Sequence, residues 1–236
     1  MVIPPLQFLI DYFHFKQAET PKRFKGGVGN FYPCLLDRTL KTGFDRHYVY
    51  HTAWAARALA RLRPNRHVDI GSHLYFAAIV SAYLPIDFYD YRPVELALEG
   101  LTCSHADITH LPFADNSIPS LSCMHVVEHI GLGRYGDPVD PQGDLKAISE
   151  LQRVVSPGGD ILFVVPVGHE AILRFNAHRV YTIEQVKQYF HEWDLRELYF
   201  IPDTASVNPT LDPSPEMIMA NSYACGCFWF RKKGHV

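Results

Sequence analysis

Short apolar runs alternate with helix-type segments through the middle of the chain, and this alternation constrains the fold more than any other feature. Residues 67–71, 86–91 and 161–167 are apolar stretches of strand length. Residues 74–83 are also apolar and end before Pro85, which is typical of a helix that covers a sheet. Five such strand and helix units, followed by two more β-rich segments, predict an α/β fold with a doubly wound sheet of seven strands. Such sheets bind their ligands at the carboxyl ends of the strands.

The pattern starts only after the first fifth of the chain. Residues 1–45 show little periodicity and contain a basic, glycine-rich segment at 22–30, so we expect an irregular N-terminal extension or lid. A chain of 236 residues suits one α/β domain with a full core better than two independent domains. We therefore predict a single domain over residues 46–236.

The composition of the chain limits the classes of molecule that it can be expected to bind. Lys and Arg number 22 against 25 Asp and Glu, a formal charge of −3, which gives no basic excess for a nucleic acid or an anionic membrane. The first 15 residues lack a basic start, and Asp11 and His14 interrupt their apolar run, so we predict neither a signal peptide nor a membrane span. These observations favour a small-molecule substrate and leave the oligomeric state open.

The cysteines indicate a reduced protein. There are five, an odd number, without a C-x-x-C pair, which favours a cytoplasmic location. Cys225 and Cys227 would share one face of a strand, but no second ligand pair accompanies them in the sequence, so no metal ligand is assigned.

Histidine is the unusual residue, with 13 copies. On the predicted strands, five of them come at or just after carboxyl ends, where acid and base groups or ligands would lie. These are His73, His125, His129, His169 and His178.

Five motifs occur in one order at the spacing of the predicted strands: HVDIG, YDYRP, ADITHLPFADNSI, HVVEHIG and ELQRVVSPGG. Over residues 65–168 this resembles the class I S-adenosylmethionine-dependent methyltransferases. More narrowly, DRTLKTGFDRHYVYHTAWAAR, HVVEHIGLGRYGDPVDPQGD and FNAHRVY resemble an uncharacterised family of unknown function named for its nematode members. The resemblance implies a Rossmann-like sheet in the order 3-2-1-4-5-7-6, with the last strand antiparallel and helices on both faces. It also implies a methyltransferase, a one-carbon transferase whose cofactor is S-adenosylmethionine.

The resemblance assigns cofactor roles by position. An acidic residue and a glycine turn after the first strand approach the methionine part, and Asp69 and Gly71 match them. A carboxylate at the end of the second strand accepts the ribose hydroxyls; Asp90 is the candidate, and Asp87 falls earlier in the strand. Asp107 and the backbone of Ile108 would meet the adenine. The full predicted cofactor set is Asp69, Gly71, Ser72, His73, Asp90, Tyr91, Asp107, Ile108 and His125.

One position departs from the family pattern. The family has a second glycine after the first strand, and this chain has His73 there. Its ring would either clash with the cofactor or change how the cofactor binds. The first alternative function is therefore a non-catalytic binding protein with a degenerate methyltransferase fold.

The acceptor side is predicted from polar loops. For a hydroxyl acceptor the protein must remove a proton, and His129, with Glu128 beside it, is the candidate catalytic group; a purely orienting histidine is the alternative. Predicted substrate residues are Arg134, Tyr135, Asn176, His178 and Arg179, with a loop held by its own hydrogen bonds as the alternative for the last three. These groups favour a small polar acceptor, such as a hydroxyl of a sugar or glycan precursor.

Two further motifs give weaker signals. His125, Glu128 and His129 fit an H-x-x-E-H zinc-protease pattern, which needs a helix to bring both histidines together, so a metal-dependent hydrolase is the second alternative. Residues 131–136 fit G-x-G-x-x-G, but two prolines follow where a helix would begin. We expect a substrate-side loop there.

Overall fold

The computed structural model describes residues 4–234 and divides the chain into two compact units, Met1–Phe44 and Asp45–Val236. Within the first unit, helix α1 spans Pro4–Ala18, and Phe31 packs edge-on against Phe8 with 5.0 Å between ring centroids. The prediction of an irregular extension was wrong for α1. Its apolar side chains fall on every face, so the spacing gives no amphipathic signal.

The second unit is built on one eight-stranded sheet. In spatial order its strands are β3, β2, β1, β4, β5, β10, β8 and β9, with β10 antiparallel to both of its neighbours. This confirms the predicted order 3-2-1-4-5-7-6 and adds a short edge strand, β9. The bounds are β1 His67–Ile70, β2 Ile86–Asp90, β3 Leu101–His105, β4 Ile118–Met124, β5 Val155–Val167, β8 Trp193–Pro202, β9 Thr210–Leu211 and β10 Ala224–Lys232. A separate hairpin joins β6, Ile172–Arg174, to β7, His178–Val180.

Helices cover both faces of this sheet. Along β5, Phe163 belongs to a core with α4 and α5, whereas Leu162 and Val164 belong to a core with α2 and α3. Successive strand side chains point to opposite faces, so a strand covered on both sides must be apolar throughout. The helices are α2 Arg46–Leu62, α3 Leu74–Val80, α4 Gly143–Val154, α5 Ile183–Tyr189 and α6 Pro215–Met219. In residues 4–234 none of the helices has the length and apolar character needed to cross the membrane.

One connection between strands contains no helix. The alternation of strand and helix implies a helix between β2 and β3, and Pro93 would suit its first turn. Residues 93–97 are instead irregular, and Leu98 forms an isolated bridge with Leu101. Val94, Leu96 and Leu98 alternate with other residues at a period of two, which does not give a helix an apolar face. The connection from β2 to β3 is therefore a loop.

Candidate functional site

A cavity of about 600 Å³ opens at the carboxyl ends of β1, β2 and β4. Gly71, Asp90, Asp107, Met124 and His129 are among its lining residues. The chain leaves β1 towards β2 on one side, and β4 pairs with β1 on the other. This is the switch point of the sheet, where open α/β folds place their ligands.

Asp69 stabilises the turn after β1 through hydrogen bonds. Its Oδ1 accepts a 3.0 Å hydrogen bond from the Ser72 backbone N–H, and Oδ2 accepts one from the Ser122 hydroxyl. Asp69 is fully buried and does not line the cavity, so it shapes the turn rather than facing a ligand. Burial raises the pKa of its carboxyl to about 6, against hydrogen bonds that lower it.

Gly71 occupies a left-handed conformation, with φ of +67°. A methyl group built on it would stand 3.3 Å from Val126, tighter than an ordinary contact. Bare backbone therefore faces the cavity at this position.

His73 replaces the second glycine without backbone strain. Its φ is −67°, in the region that any residue adopts, and it caps the N-terminus of α3 by accepting a 3.3 Å bond from the Tyr75 N–H. Its ring lies at the cavity wall, 5.3 Å from the ring of Tyr48. The backbone geometry here therefore does not require glycine, and the histidine changes only the side-chain surface of the cavity.

The two candidate carboxylates of β2 have different environments. Asp87 forms an ion pair with Arg66 at 2.7 Å and accepts a hydrogen bond from Thr102, away from the cavity. Asp90 lines the cavity, and its Oδ1 accepts a 2.7 Å hydrogen bond from the backbone N–H of Arg92. Of the two, only Asp90 faces a ligand space.

A third carboxylate lies after β3. Asp107 lines the cavity, and its Oδ1 accepts hydrogen bonds from the N–H and hydroxyl of Thr109, at 2.8 Å and 2.7 Å. Ile108 also lines the cavity and is buried. Tyr91 and Ser72 lie on the lining as well, so the predicted cofactor residues other than Asp69 meet in one space.

The residues after β4 include a buried charge pair. His125 Nδ1 is 2.8 Å from Glu128 Oε1, and the two side chains are 5% and 1% exposed. Burial works to lower the pKa of His125, whereas the Cys225 sulfur and the Glu128 carboxylate outweigh it, and the net effect is a raised pKa. Glu128 does not line the cavity, so it acts on its histidine neighbours rather than on a ligand.

His129 lines the cavity in a fixed tautomer. Its Nδ1 is 2.6 Å from the carbonyl oxygen of Ala177, and since a carbonyl only accepts, Nδ1 carries the proton. Nε2 is then left with its lone pair, 3.8 Å from Glu128 Oε1. This arrangement suits a proton acceptor.

Most of the predicted substrate residues hold a loop instead of lining the cavity. Arg179 donates to the carbonyl of Ile130 at 2.7 Å, Asn176 donates to that of Leu132 at 3.3 Å, and Arg134 donates to that of Ala177 at 3.1 Å. Tyr135 alone of the five lines the cavity. The bonds of Asn176 and Arg179 match the alternative interpretation, a loop stapled by its own polar groups.

The five rim histidines also separate into two groups. His73, His125 and His129 line the cavity, whereas His169 and His178 do not. Only the last three residues of the H-x-x-E-H pattern, Val127–His129, form a 3₁₀ turn; His125 precedes it with φ of +57°, so no α-helix carries the two histidines. His125 and His129 share no group of converging ligand atoms among the described residues. The structure therefore gives the zinc-protease interpretation no ligand set.

Two features of α2 lie outside the predicted site residues. Tyr48 of α2 lines the cavity, and burial raises the pKa of its hydroxyl to about 12. His47 and His51, also on α2, lie buried near His125, with 5.9 Å and 4.9 Å between ring centroids. The sequence does offer one signal: His47 and His51 are four residues apart, which places them on the same face of a helix. Neither of them lies near the end of a strand in the sequence.

Comparisons with known proteins give two matches at the level of sequence. A family model described as "Caenorhabditis protein of unknown function, DUF268" matches residues 114–207. The uncharacterized protein MJ0638 of Methanocaldococcus jannaschii is 23% identical over 114 residues, and the match spans 45% of this chain and 45% of that protein.

Solved structures share the fold over most of the chain. The YcgJ protein of Bacillus subtilis has a TM-score of 0.56 at 14% identity, covering 79% of this chain and 100% of that one. A Galdieria sulphuraria protein proposed to be a sarcosine dimethylglycine methyltransferase has a TM-score of 0.56 at 15% identity, covering 80% and 87%. The predicted resemblance is confirmed at both levels: the chain has the fold of the class I S-adenosylmethionine-dependent methyltransferases, and residues 114–207 match a family of unknown function.

Proposed function

We propose that this protein is an S-adenosylmethionine-dependent methyltransferase that acts on a small polar acceptor, with a hydroxyl of a sugar or glycan precursor as the leading candidate. The observation that carries the proposal is the convergence of Gly71, Asp90 and Asp107 on one cavity at the switch point of the sheet. Each stands at the carboxyl end of a different strand. The similarity of fold at low sequence identity does not by itself require these three residues to lie on one cavity.

The residues present fit the cofactor. Asp90 has one oxygen on the Arg92 N–H, and its Oδ2 faces the Gly71 turn, 3.8 Å from a methyl group built there, so it would accept from the ribose hydroxyls. Asp107 and the Ile108 backbone would hold the adenine, and Tyr91 would flank it. S-adenosylmethionine, when bound, supplies an electrophilic methyl group on its sulfonium.

The residues of the protein would position the acceptor and remove the proton of its hydroxyl group. His129 Nε2 would take the proton of the acceptor hydroxyl on methyl transfer, and S-adenosylhomocysteine would be the leaving group. Glu128 Oε1, 3.8 Å away, would then stabilise the resulting imidazolium. Three of the predicted substrate residues would hold the loop that carries Tyr135 rather than contact the acceptor: Arg134, Asn176 and Arg179.

The cofactor assignment is tested by calorimetry with S-adenosylmethionine and S-adenosylhomocysteine. We expect both to bind, and D90N to weaken binding roughly 10- to 100-fold, because a charged acceptor of two hydroxyls is lost. D87N is the matched control: it changes a carboxylate of the same strand that lies outside the cavity, and its affinity should equal the wild type's. If neither nucleoside binds the wild type, the proposed function fails; if D90N binds as tightly as D87N, the ribose assignment fails.

The base is tested by transfer of labelled methyl groups to a panel of sugars, nucleotide sugars and small hydroxy compounds. We expect H129Q to keep its affinity for S-adenosylmethionine and to lose at least about 100-fold in transfer rate, the usual contribution of a positioned base. H169Q, a change to a histidine outside the cavity, should transfer at the wild-type rate. Equal rates for H129Q and the wild type would remove His129 from the reaction. A wild type that binds the cofactor but methylates nothing would favour the non-catalytic binding protein.

A further inference from the structure

A compact set of metal-ligating side chains lies buried behind the floor of the cavity. The Cys225 sulfur and one ring nitrogen each from His47 and His125 all lie within 4.8 Å of one another. They come from α2, from the end of β4 and from β10, three elements that are far apart in sequence. We propose that these three side chains, with Cys227 as the fourth ligand, form a closed structural site for one Zn²⁺ ion.

The interatomic distances suit a tetrahedral zinc ion. Zn–S bonds of about 2.3 Å and Zn–N bonds of about 2.0–2.1 Å place a sulfur and a nitrogen ligand about 3.6 Å apart, and two sulfur ligands about 3.8 Å apart. Cys225 Sγ lies 3.4 Å from His125 Nε2 and 3.8 Å from Cys227 Sγ. In each of these two pairs, the atoms therefore need to move by only a few tenths of an ångström relative to each other.

The surroundings of His125 are those of a metal ligand. Its Nδ1 donates to Glu128 Oε1 at 2.8 Å, which directs Nε2 towards Cys225. A histidine that binds a metal usually donates its other ring N–H to a carboxylate, which fixes the ring orientation. Glu128 is 1% exposed, so this partner is as buried as the ligands.

The histidines of α2 supply an independent observation. His47 is 7% exposed, and its Nε2 is buried without a hydrogen-bond partner among the described residues; Asp203 Oδ1 lies 3.8 Å from it. His51 is fully buried; its Nδ1 donates to the His47 carbonyl at 2.8 Å, and its Nε2 also has no partner in the described part of the chain. Buried polar atoms are normally satisfied, so a buried imidazole nitrogen without a partner, on a side chain of this cluster, needs an explanation. A zinc ion bound to His47 provides one.

The ligand chemistry selects the class of ion. Two thiols and two imidazoles bind borderline and soft cations such as Zn²⁺ and exclude Mg²⁺ and Ca²⁺, which prefer oxygen. On binding, zinc replaces the protons of both thiols and any proton on His125 Nε2, and these protons pass to solvent. Two thiolates then neutralise the ion. Four protein ligands would fill all the positions of a tetrahedral zinc ion, and both cysteines are fully buried. No coordination position is then open to a substrate, so the site is structural rather than hydrolytic.

Such an ion would tie α2 to the sheet beside the cavity. His125 and Tyr48 line the cavity, and Tyr48 follows His47 directly on α2. The site would therefore fix one wall of the proposed cofactor space. It does not depend on the proposed function, because the ligands would bind zinc in a protein that never meets S-adenosylmethionine.

The test is elemental analysis of the full chain, expressed with added zinc and purified without chelators and without a histidine tag. We expect about one zinc per chain. After chelation, titration with Co²⁺ should produce a thiolate-to-cobalt charge-transfer band that saturates near one equivalent, and titration with Zn²⁺ should raise the melting temperature while Mg²⁺ does not.

Variants identify the ligands. C225S should lose the zinc and the cobalt band, and so should H47Q, which lies outside the cavity. C123S is the matched control, a buried cysteine on β4 that is not in the cluster, and it should keep both signals. If C225S fails to fold, the zinc content of H47Q and the metal titrations of the wild type decide whether the proposal holds. The proposal is overturned if the wild type holds less than about a tenth of a zinc per chain and gives no cobalt band, or if C225S or H47Q retains the metal of the wild type.

Discussion

Replacing Gly131 with alanine is expected to lower the free energy of unfolding by about 4 kcal/mol or more, because it combines a left-handed backbone with a clash against main chain. Gly131 has φ of +78°, and a methyl group built on it would overlap the carbonyl oxygen of Asp140 and lie 2.9 Å from its carbonyl carbon. The carbonyl cannot move away freely, because Asp140 donates from its own N–H to the Gly131 carbonyl at 2.9 Å and accepts from the Gly143 N–H at 3.0 Å.

Gly136 in the same loop is the matched control. Its φ is +86°, but a methyl group built there meets nothing within 4 Å, so G136A should cost only the backbone term, about 1–2 kcal/mol. Urea unfolding of both variants measures the difference, and similar losses for G131A and G136A would contradict it. Tyr135 and Asp140 of this loop line the cavity, so G131A should also reduce S-adenosylmethionine affinity where the protein still folds.

The central strands could be predicted from the sequence because they are buried on both faces. β5 is the strongest case: from Ile161 to Val167 every residue is buried and apolar, so this part of the strand is a continuous apolar run. The helix α4 was equally visible, since Ala147, Ile148 and Leu151 recur at helical spacing and face the core. By contrast, α1 has no single apolar face, and the loop after Pro93 has apolar residues without a helix.

The site was predictable where chain geometry determines position. Asp90 and Asp107 follow strand ends, and parallel strands bring their carboxyl ends to one edge, so their meeting follows from the pattern alone. Whether a polar side chain faces a ligand or its own loop does not follow from the pattern, and Asn176 and Arg179 proved to bond to loop carbonyls. Tyr48 lies outside the predicted site residues for a third reason: which face of α2 meets the sheet is decided by tertiary packing.

Below the turn after β1, a buried histidine is expected to make the fold sensitive to acid. His67 is fully buried between two serines: its ring nitrogens lie 2.8 Å from Ser120 Oγ and 2.8 Å from Ser122 Oγ. The Ser122 hydroxyl donates to Asp69, so Ser122 must accept from His67 Nε2–H. Burial favours the neutral ring and lowers the pKa of His67 to about 3, so that Nδ1 accepts from the Ser120 hydroxyl.

The direction of the pH effect follows from that pKa. The unfolded chain binds a proton near pH 6.5, and the folded one only near pH 3, so stability is present above pH 6.5 and is lost as the pH falls towards 3. For His67 alone the loss between pH 7.5 and pH 4 is about 3 kcal/mol. His47, whose pKa burial and the nearby His125 lower to about 4, acts in the same direction. The raised pKa of Asp69 acts in the opposite direction, because this group stabilises the fold as the pH falls.

Substitution isolates the contribution of His67, since the other groups remain in both proteins. H67Q keeps a polar, neutral side chain between the serines; it should be less stable than the wild type at pH 7.5 but lose about 3 kcal/mol less on going to pH 4. Urea unfolding at pH 7.5, 6, 5 and 4 gives both slopes. H191Q, a change to a histidine whose side chain is 63% exposed, should follow the wild-type slope. If H67Q and the wild type fall in parallel, the folded protein must already accept a proton at His67, and the neutral network from Ser120 to Asp69 would be wrong.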